Sequence, residues 1–323
     1  MVQRMRLAVY GAGAIGSWFG AALAASGQEV TLIGRPAHVE AVNARGLIVE
    51  DKVTGTTQTV RFSSPALTSL PVQETFDAII VTTKTYALAA AAAEIAPLLD
   101  TTPACILQNG IGNEEIIRAR NPRAQIVRAL TSHGVIFKEP GRVIHTGLGS
   151  AFIGVAATDA KQTTKLSESA YLLAKNLAEA WNAGGIPFQV VPDIAKRVWE
   201  KIFVNVGINP FAAIARMSNG ELLTYPPIRA AMEGAVREAV AVAQRKGVDL
   251  DGIDPVGAMF DVAQKTRNNR NSMLQDIEKG KPTEIMFING KIAEWGAQLQ
   301  VPTPINSTLT ALVQLLERQA KSH

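Results

Sequence analysis

Lys201, Asn205 and Asn209 recur at every fourth residue of one segment near the middle of the chain. On an α-helix this spacing puts the three side chains along one stripe of an otherwise apolar surface. Two amides offer hydrogen-bond donors and acceptors without charge, and a lysine held among apolar groups can exchange a proton near neutral pH, because burial lowers the pKa of an ammonium. The stripe is therefore a candidate site for a polar ligand and a proton transfer. Taken alone, three polar residues at this spacing favour a solvated helix face, so the rest of the sequence must decide.

The composition describes a two-domain globular protein. The chain has 323 residues, of which 47% are hydrophobic and 19% charged, which is enough to bury two cores. The formal charge of +4 is spread along the chain, so no nucleic-acid surface is predicted. One cysteine excludes an intrachain disulfide, and four widely separated histidines predict no metal site.

The N-terminal glycines form the motif Gly11-Ala12-Gly13-Ala14-Ile15-Gly16, between an apolar run, Arg6 to Tyr10, and a helical pattern through Ala25. G-x-G-x-x-G between a strand and a helix is the dinucleotide-binding fingerprint. Its glycines permit a tight turn and let a pyrophosphate approach the backbone at the helix N-terminus. The sequence therefore predicts a dinucleotide site that includes Gly11, Gly13, Ala14, Ile15 and Gly16. The alternative is a glycine-rich turn without a ligand.

Arg35 follows the second predicted strand, Glu29 to Ile33, where an NAD site usually carries an acidic residue. A guanidinium suits the 2′-phosphate of NADP through a charge-assisted contact, and His38 is placed to assist. The sequence predicts NADPH/NADP+ as the cofactor. A solvated arginine at a strand end is the alternative.

Lys84 and Asn109 follow two further predicted strands, Phe76 to Val81 and Cys105 to Gln108. In an open α/β sheet, ligands bind beyond the carboxyl ends of the strands. Both side chains are therefore candidates for contacting the nicotinamide half of the cofactor or the substrate. A solvated loop lysine and a turn-forming asparagine before glycine are comparable alternatives.

The type of secondary structure changes near Asp193. Before it, the patterns predict strands alternating with helices, a hairpin from Leu47 to Phe62, and a strand region from Ile126 to Phe137. After it, every pattern is helical, with Asn209-Pro210 expected to kink or divide the first helix and one helix expected from Thr283 to Leu299. The prediction is an α/β N-terminal Rossmann-like domain, residues 1–193, with a C-terminal all-α domain, residues 194–323.

No membrane span is predicted, because no uninterrupted apolar run approaches the length of about 18 residues that a crossing helix needs. The basic, apolar N-terminus imitates a signal peptide, but its glycines suit a nucleotide-binding turn better than a continuous helix. A cytoplasmic protein is expected. The apolar stripes of the helices are compatible with a homodimer as well as with a monomer.

The spaced motifs together resemble the ketopantoate reductase family over nearly the whole chain. Besides the glycine turn and the Lys201 stripe, the resemblance rests on four segments: Thr83-Lys84-Thr85, Gln108 to Gly112, Asn271 to Asp276, and Thr283-Glu284-Ile285 with Ile288-Asn289-Gly290. The resemblance implies NADPH-dependent reduction of 2-dehydropantoate to (R)-pantoate, a step toward pantothenate and coenzyme A.

The resemblance also implies roles for individual residues. Lys201 matches the general acid and Glu284 its carboxylate partner, while Asn205, Asn209 and Ser272 match substrate-binding groups. Arg35 matches the 2′-phosphate contact, and Lys84 and Asn109 match groups near the cofactor and the active site. Asn219 falls at a family position without a defined role. Read without the family, Ser272 fits a helix N-cap equally well, and Glu284 fits a surface carboxylate.

Two other functions remain open from the sequence. The first is reduction of another 2-oxo acid by the same chemistry, because no residue in the sequence reads the gem-dimethyl group of ketopantoate. The second is a non-catalytic NADP(H)-binding sensor. A sensor needs no proton donor, so the presence of Lys201, Asn205, Asn209, Ser272 and Glu284 argues against this function.

Overall fold

The computed structural model describes residues 3–156 and 164–321, and its contacts divide the chain into two compact units. The first unit comprises Met1–Gln108 and Asn113–Ile194, and the second comprises Asn109–Gly112 and Ala195–His323. The predicted boundary after Asp193 is one residue from the division after Ile194. The segment Asn109–Gly112 had been expected in the first domain, but Ile111 belongs to the apolar core of the helical unit and its N–H donates to the carbonyl of Phe287 at 3.0 Å.

The first unit is built on a seven-stranded sheet. Its strands are β1 (Arg6–Tyr10), β2 (Glu29–Ile33), β5 (Ala78–Val81), β6 (Ala104–Ile106), β7 (Ile126–Thr131), β10 (Ala151–Val155) and β11 (Gln189–Val190). The strand order is β11-β10-β7-β6-β5-β1-β2, and all neighbouring pairs are parallel except β10 with β7.

Both faces of this sheet are covered, which explains why its strands are continuous apolar runs. In β1, Leu7 and Val9 belong to one apolar cluster while Ala8 belongs to the other, because successive side chains of a strand point to opposite faces. The helices of this unit are α1 (Ala14–Ala25), α2 (Pro36–Arg45), α3 (Leu88–Ile95), α4 (Asn113–Arg120) and α5 (Thr164–Ala183). The predicted α/β Rossmann-like fold is confirmed.

A second, four-stranded sheet in the same unit has the order β4-β3-β9-β8. Its strands are β3 (Leu47–Asp51), β4 (Thr56–Val60), β8 (Gly134–Glu139) and β9 (Arg142–Gly147). The antiparallel pairing of β3 with β4 confirms the predicted hairpin. The region Ile126 to Phe137 is two strands in different sheets, because the chain leaves β7 at Ser132 and His133 before β8 begins.

The second unit is helical throughout its described residues, as predicted, apart from loops and short 3-10 turns. Its helices are α6 (Ile194–Ala215), α7 (Pro226–Arg245), α8 (Pro255–Lys265), α9 (Ser272–Glu278), α10 (Asn289–Leu299) and α11 (Pro304–Lys321). None of the helices in residues 3–156 and 164–321 is long and apolar enough to cross a membrane.

Two predictions about these helices need correction. Asn209-Pro210 was expected to kink or divide the first helix; the division is wrong, since α6 continues through Pro210 to Ala215, and the kink stays a prediction. The region Thr283 to Leu299 is not one helix: a 3-10 turn at Ile285–Phe287 is followed by Ile288 with φ −115° and ψ −98°, outside the helical region, and only then does α10 begin.

Candidate active site

The glycine motif forms the turn between β1 and α1, and its packing requires glycine at two positions. Gly11 has φ +111°, and a Cβ there would lie 2.5 Å from the backbone nitrogen of Thr83. A Cβ on Gly16 would lie 2.3 Å from the carbonyl oxygen of Gly11. Gly13 is different, because a Cβ added there would meet no heavy atom closer than 3.9 Å. The turn is thus held tightly at both ends and open at Gly13.

The open side of this turn presents hydrogen-bond donors. Gly13 is the N-cap of α1 and supplies no side-chain cap, and the first turn contains no acidic residue. Within the described part of the chain, the backbone N–H groups of Ala14, Ile15 and Gly16 donate to no residue. Free N–H groups at a helix N-terminus attract anions, so this turn fits the pyrophosphate of a dinucleotide.

Arg35 stands directly after β2 and precedes Pro36, the first residue of α2. Its guanidinium carbon lies 5.8 Å from the centre of the Phe137 ring on β8, within the range of a cation–π contact. Arg35 is exposed except for this contact. An exposed guanidinium oriented by an aromatic ring suits a phosphate ester. The predicted contact of Arg35 with the 2′-phosphate of NADP stays a prediction.

His38 does not fit the assisting role expected for it, because both of its ring nitrogens contact groups inside the first unit. Nδ1 accepts from the N–H of Gly141 at 3.0 Å, and Nε2 lies 3.0 Å from the Ser17 hydroxyl. The side chain is buried, and burial together with the charge of Arg35 lowers its pKa from 6.5 to about 4. His38 is therefore a neutral structural residue that links α1, α2 and the β8–β9 turn.

Lys84 follows β5 as the N-cap of a 3-10 turn, Thr85–Ala87, and its side chain is half-buried. The loop that carries it is fixed by Gln108, whose amide nitrogen donates to the carbonyl of Thr83 at 2.6 Å and lies 3.0 Å from its hydroxyl. The structure thus places Lys84 in an ordered position at the carboxyl end of a sheet strand. Its predicted contact with the cofactor or substrate remains a prediction.

Three predicted site residues of the helical unit form one hydrogen-bonded chain. Lys201 of α6 donates from Nζ to Oδ1 of Asn109 at 2.7 Å, and Nδ2 of Asn109 donates to Oε2 of Glu284 at 3.0 Å. Glu284 is buried, so the alternative of a surface carboxylate is wrong. The asparagine amide thus connects an ammonium to a carboxylate, with its oxygen toward the cation and its nitrogen toward the anion.

Asn205 and Asn209 lie on α6, one and two turns after Lys201. Asn209 is buried and Asn205 half-buried, so this stripe is not a solvated helix face. Neither amide side chain is hydrogen-bonded to a residue in the described ranges. Neither amide is among the fully buried polar atoms that lack a partner, so both keep contact with solvent, where a ligand can replace water.

Ser272 is the first residue of α9 and is exposed, without a hydrogen bond from its hydroxyl among the described residues. The N-cap is Asn271, whose side chain accepts from the N–H of Leu274 at 3.1 Å, so the alternative capping role of Ser272 is wrong. Asn219 holds this cap: it accepts from Asn271 at 3.2 Å and donates to Thr266 at 2.9 Å. Asn219 is thus a structural support next to Ser272.

Sequence reasoning missed that Asn109 bridges Lys201 and Glu284. It assigned Asn109 to the cofactor or the substrate because the residue follows a sheet strand. The available signal was Gly110, which allows the chain to turn: Gly110 has φ +79°, and a Cβ there would lie 2.7 Å from Phe287 Cβ and from the Phe287 carbonyl oxygen. That approach brings Asn109 to the loop that carries Glu284.

Two features define a Rossmann-like oxidoreductase. The first is the mostly parallel sheet that is packed on both faces and carries the glycine turn, and the second is the chain from Lys201 through Asn109 to Glu284. Residues 7–158 match the family model "Ketopantoate reductase PanE/ApbA", and residues 193–317 match "Ketopantoate reductase PanE/ApbA C terminal". The chain belongs to the ketopantoate reductase family. The predicted family and the predicted oxidoreductase class are thereby confirmed.

Relatives of known name agree over almost the full chain. The 2-dehydropantoate 2-reductase of Pyrococcus horikoshii is 37% identical over 97% of this chain and 98% of its own length. The 2-dehydropantoate 2-reductase of Archaeoglobus fulgidus is 34% identical over 98% of each chain.

Solved structures with the same fold include a ketopantoate reductase and a dehydrogenase of a different name. A PanE/ApbA family ketopantoate reductase from Ralstonia eutropha has a TM-score of 0.85 at 30% identity, with 98% of this chain and 100% of that chain covered. D-mandelate dehydrogenase in a ternary structure with NADH and anilino(oxo)acetate has a TM-score of 0.86 at 29% identity, with 98% and 99% covered. Proteins named ketopantoate reductase and D-mandelate dehydrogenase therefore share this fold.

Proposed function

We propose that this protein reduces the ketone of a 2-oxo acid with NADPH, and that the acid is 2-dehydropantoate, giving (R)-pantoate for pantothenate and coenzyme A biosynthesis. The observation that carries the proposal is the chain from Lys201 through Asn109 to Glu284, next to two amides of α6 that have no partner among the described residues. This combination supplies a proton donor together with groups that can orient a polar substrate.

Lys201 acts as the general acid in this proposal. Reduction of a ketone develops negative charge on the carbonyl oxygen, and an ammonium within hydrogen-bond reach stabilises that charge and delivers the proton. An ammonium carries three N–H donors, so the bond from Nζ to the Asn109 amide oxygen is compatible with a further bond to the substrate. Glu284 fixes the orientation of the amide, because its carboxylate only accepts hydrogen bonds and therefore selects the nitrogen of Asn109.

Asn205, Asn209 and Ser272 bind the substrate in this proposal. The two amides can donate to the carboxylate or hydroxyl oxygens of a small acid, and the exposed Ser272 hydroxyl is a neutral donor to a carboxylate. Fixing such an acid at several points orients its ketone toward the general acid, which is a large source of rate acceleration.

The cofactor is assigned to the first unit. When bound, NADPH would supply the hydride that reduces the carbonyl carbon. The backbone N–H groups of Ala14, Ile15 and Gly16 would hold the pyrophosphate, and Arg35 would contact the 2′-phosphate. Lys84 is proposed as a further contact of the cofactor or the substrate, on the basis of its place after β5.

The proposal is tested with Lys201→Ala. We expect this variant to lose most turnover with 2-dehydropantoate while it still binds NADPH in a fluorescence titration, because the first unit carries the cofactor contacts. Lys196→Ala is the matched control: Lys196 lies on the same helix, but it donates to the Asp251 carbonyl at 2.8 Å. The control should keep near-wild-type kcat/KM. An active Lys201→Ala enzyme would remove the lysine from the mechanism.

A second candidate is the reduction of another 2-oxo acid, such as an aryl-substituted one. The structural similarity to D-mandelate dehydrogenase supports it, since anilino(oxo)acetate in that ternary structure carries an aryl group on an oxoacetate. Comparing kcat/KM for 2-dehydropantoate, branched 2-oxo acids and phenylglyoxylate, each with NADPH and NADH, decides between the candidates. Tight NADPH binding without oxidation by any of these acids would instead favour a sensor.

A further inference from the structure

Pro210 removes a hydrogen bond from the interior of α6. Proline has no backbone N–H, so the carbonyl of Val206, four residues earlier, cannot receive the bond that residue 210 would otherwise supply. Val206 is completely buried, so water does not replace the missing donor. The affected turn lies between Asn205 and Asn209, the two stripe amides without a hydrogen bond to any described residue. Another group must satisfy this carbonyl if the helix is to continue.

Asn289, the first residue of α10, satisfies it. The side-chain amide nitrogen of Asn289 lies 3.1 Å from the carbonyl oxygen of Val206, and the residue is completely buried. The same nitrogen donates to Oδ1 of Asn306 on α11 at 2.9 Å. The side chain thus uses both amide hydrogens, one for α6 and one for α11.

The contacts around Asn306 fix the direction of this network. Its own amide nitrogen donates to the carbonyl of Ala235 at 3.0 Å and to Glu238 Oε2 at 2.7 Å. Both of those partners accept only, so the oxygen of Asn306 must face Asn289. An acceptor-only side chain at position 289 would therefore face two further acceptors.

We propose that Asn289 is a positioning residue for the substrate stripe: it replaces the N–H that Pro210 lacks and keeps Asn209 in line with Asn205 and Lys201. The proposal rests on the proposed function for its catalytic consequence. Without the amide, the buried Val206 carbonyl is left unpaired, and α6 relieves this by bending at Pro210. Bending separates Asn209 from the part of the helix that carries the general acid.

The test uses Asn289→Ala, Pro210→Ala and the double variant. Asn289→Ala should lower kcat/KM for the 2-oxo acid by at least about tenfold, since misplacement by about 1 Å can cost a hundredfold. The loss should fall on kcat and on KM of the acid, with KM of NADPH unchanged. Pro210→Ala alone should remain close to wild type, because a carbonyl oxygen can accept from Asn289 and from the backbone N–H that the substitution introduces. The double variant should recover most of the loss, because the new N–H pairs with the Val206 carbonyl.

Asn306→Ala is the matched control, since it disturbs the same buried network without removing the donor to Val206. Pro210→Ala should not rescue it. Failure of Pro210→Ala to rescue a folded Asn289→Ala enzyme, or wild-type kcat/KM in Asn289→Ala, would overturn the proposal. If the wild type reduces no 2-oxo acid, the proposed function is wrong. Urea unfolding of the same variants would then still test the hydrogen bond, because rescue of stability by Pro210→Ala is expected with Asn289→Ala and not with Asn306→Ala.

Discussion

Replacing Asn109 by aspartate tests the bridge between Lys201 and Glu284 most directly. The change is nearly isosteric, but it puts a carboxylate oxygen where Nδ2 now donates to Glu284 at 3.0 Å. Two unit charges at that distance repel by about 5 kcal/mol at an effective dielectric constant of about 20. Protonating one ordinary carboxyl group at pH 7 costs about 4 kcal/mol. The two numbers are close, so the variant is only partly protonated at pH 7, keeps part of the repulsion there, and gains the proton more fully as the pH falls.

The expected result follows from this balance. At pH 7 and above, Asn109→Asp should lose about one to two orders of magnitude in kcat/KM, since a hydrogen bond to a charged group contributes about 1.5–3 kcal/mol. Like charges raise the pKa of one carboxyl of the pair, so acidification lets a shared proton restore the bond between the introduced carboxyl group and Glu284. The ratio of variant to wild-type kcat/KM should therefore rise as the pH falls.

The assay is NADPH oxidation over a range of pH, with urea unfolding to confirm that each variant is folded. Adding Glu284→Gln to Asn109→Asp is the decisive control. The glutamine amide can donate to the new carboxylate, and the net charge of the three side chains returns to its wild-type value. The double variant should recover much of the lost kcat/KM at pH 7. If it is as slow as Asn109→Asp alone, or if that single variant is as active as wild type, the bridge does not position Lys201 for turnover.

Three further predictions concern other parts of the protein. Arg35→Asp should weaken NADPH far more than NADH in fluorescence titrations, whereas Arg45→Asp, a change at the far end of α2, should not; equal losses for both coenzymes would remove Arg35 from the 2′-phosphate site. The pKa of His38 is lowered to about 4, so between pH 6.5 and about 4 the unfolded chain binds a proton that the folded chain does not. The contribution of neutral His38 to stability is therefore complete above about pH 6.5 and decreases as the pH falls. Urea unfolding of wild type and His38→Gln over this pH range tests this dependence. If the free energy of unfolding changes with pH equally in both proteins, the prediction is contradicted. Ser272→Ala should raise KM for the acid without changing stability, whereas Asn271→Ala should lower the free energy of unfolding by about 1 kcal/mol through loss of a helix cap. Equal effects of the two on unfolding would contradict the assigned cap.

Local patterns were enough to predict the glycine turn and the strands around it. The glycine turn depends on residues adjacent in sequence, and the apolar strands around it are buried on both faces, so their composition identifies them. The helix α2 was missed although Pro36 provided a start signal, because its sequence has little apolar periodicity. The helix α4 was missed for a similar reason, since only Asn113 and Ile117 of its eight residues are buried.

Long-range contacts explain the predictions about α6 that were wrong or incomplete. Proline inside a helix was expected to interrupt it, and the local argument is sound: Val206 does lose its helical donor. The replacement comes from Asn289, 83 positions away along the chain. Likewise, Glu284 reaches Lys201 through Asn109, which is separated from Glu284 by 175 positions and from Lys201 by 92. No spacing rule within a single helix or loop reveals such partners.

The burial of the stripe is what decides between the two interpretations of Lys201, Asn205 and Asn209. On a solvated face, an asparagine without a protein partner bonds to water and costs nothing. Asn209 is only 7% exposed and its side chain has no hydrogen bond to the described residues, yet its amide atoms are not among the fully buried polar atoms that lack a partner, so they keep contact with solvent. An amide that is enclosed except at its polar atoms can exchange water for a substrate group. This arrangement favours a ligand site over a fully solvated helix face.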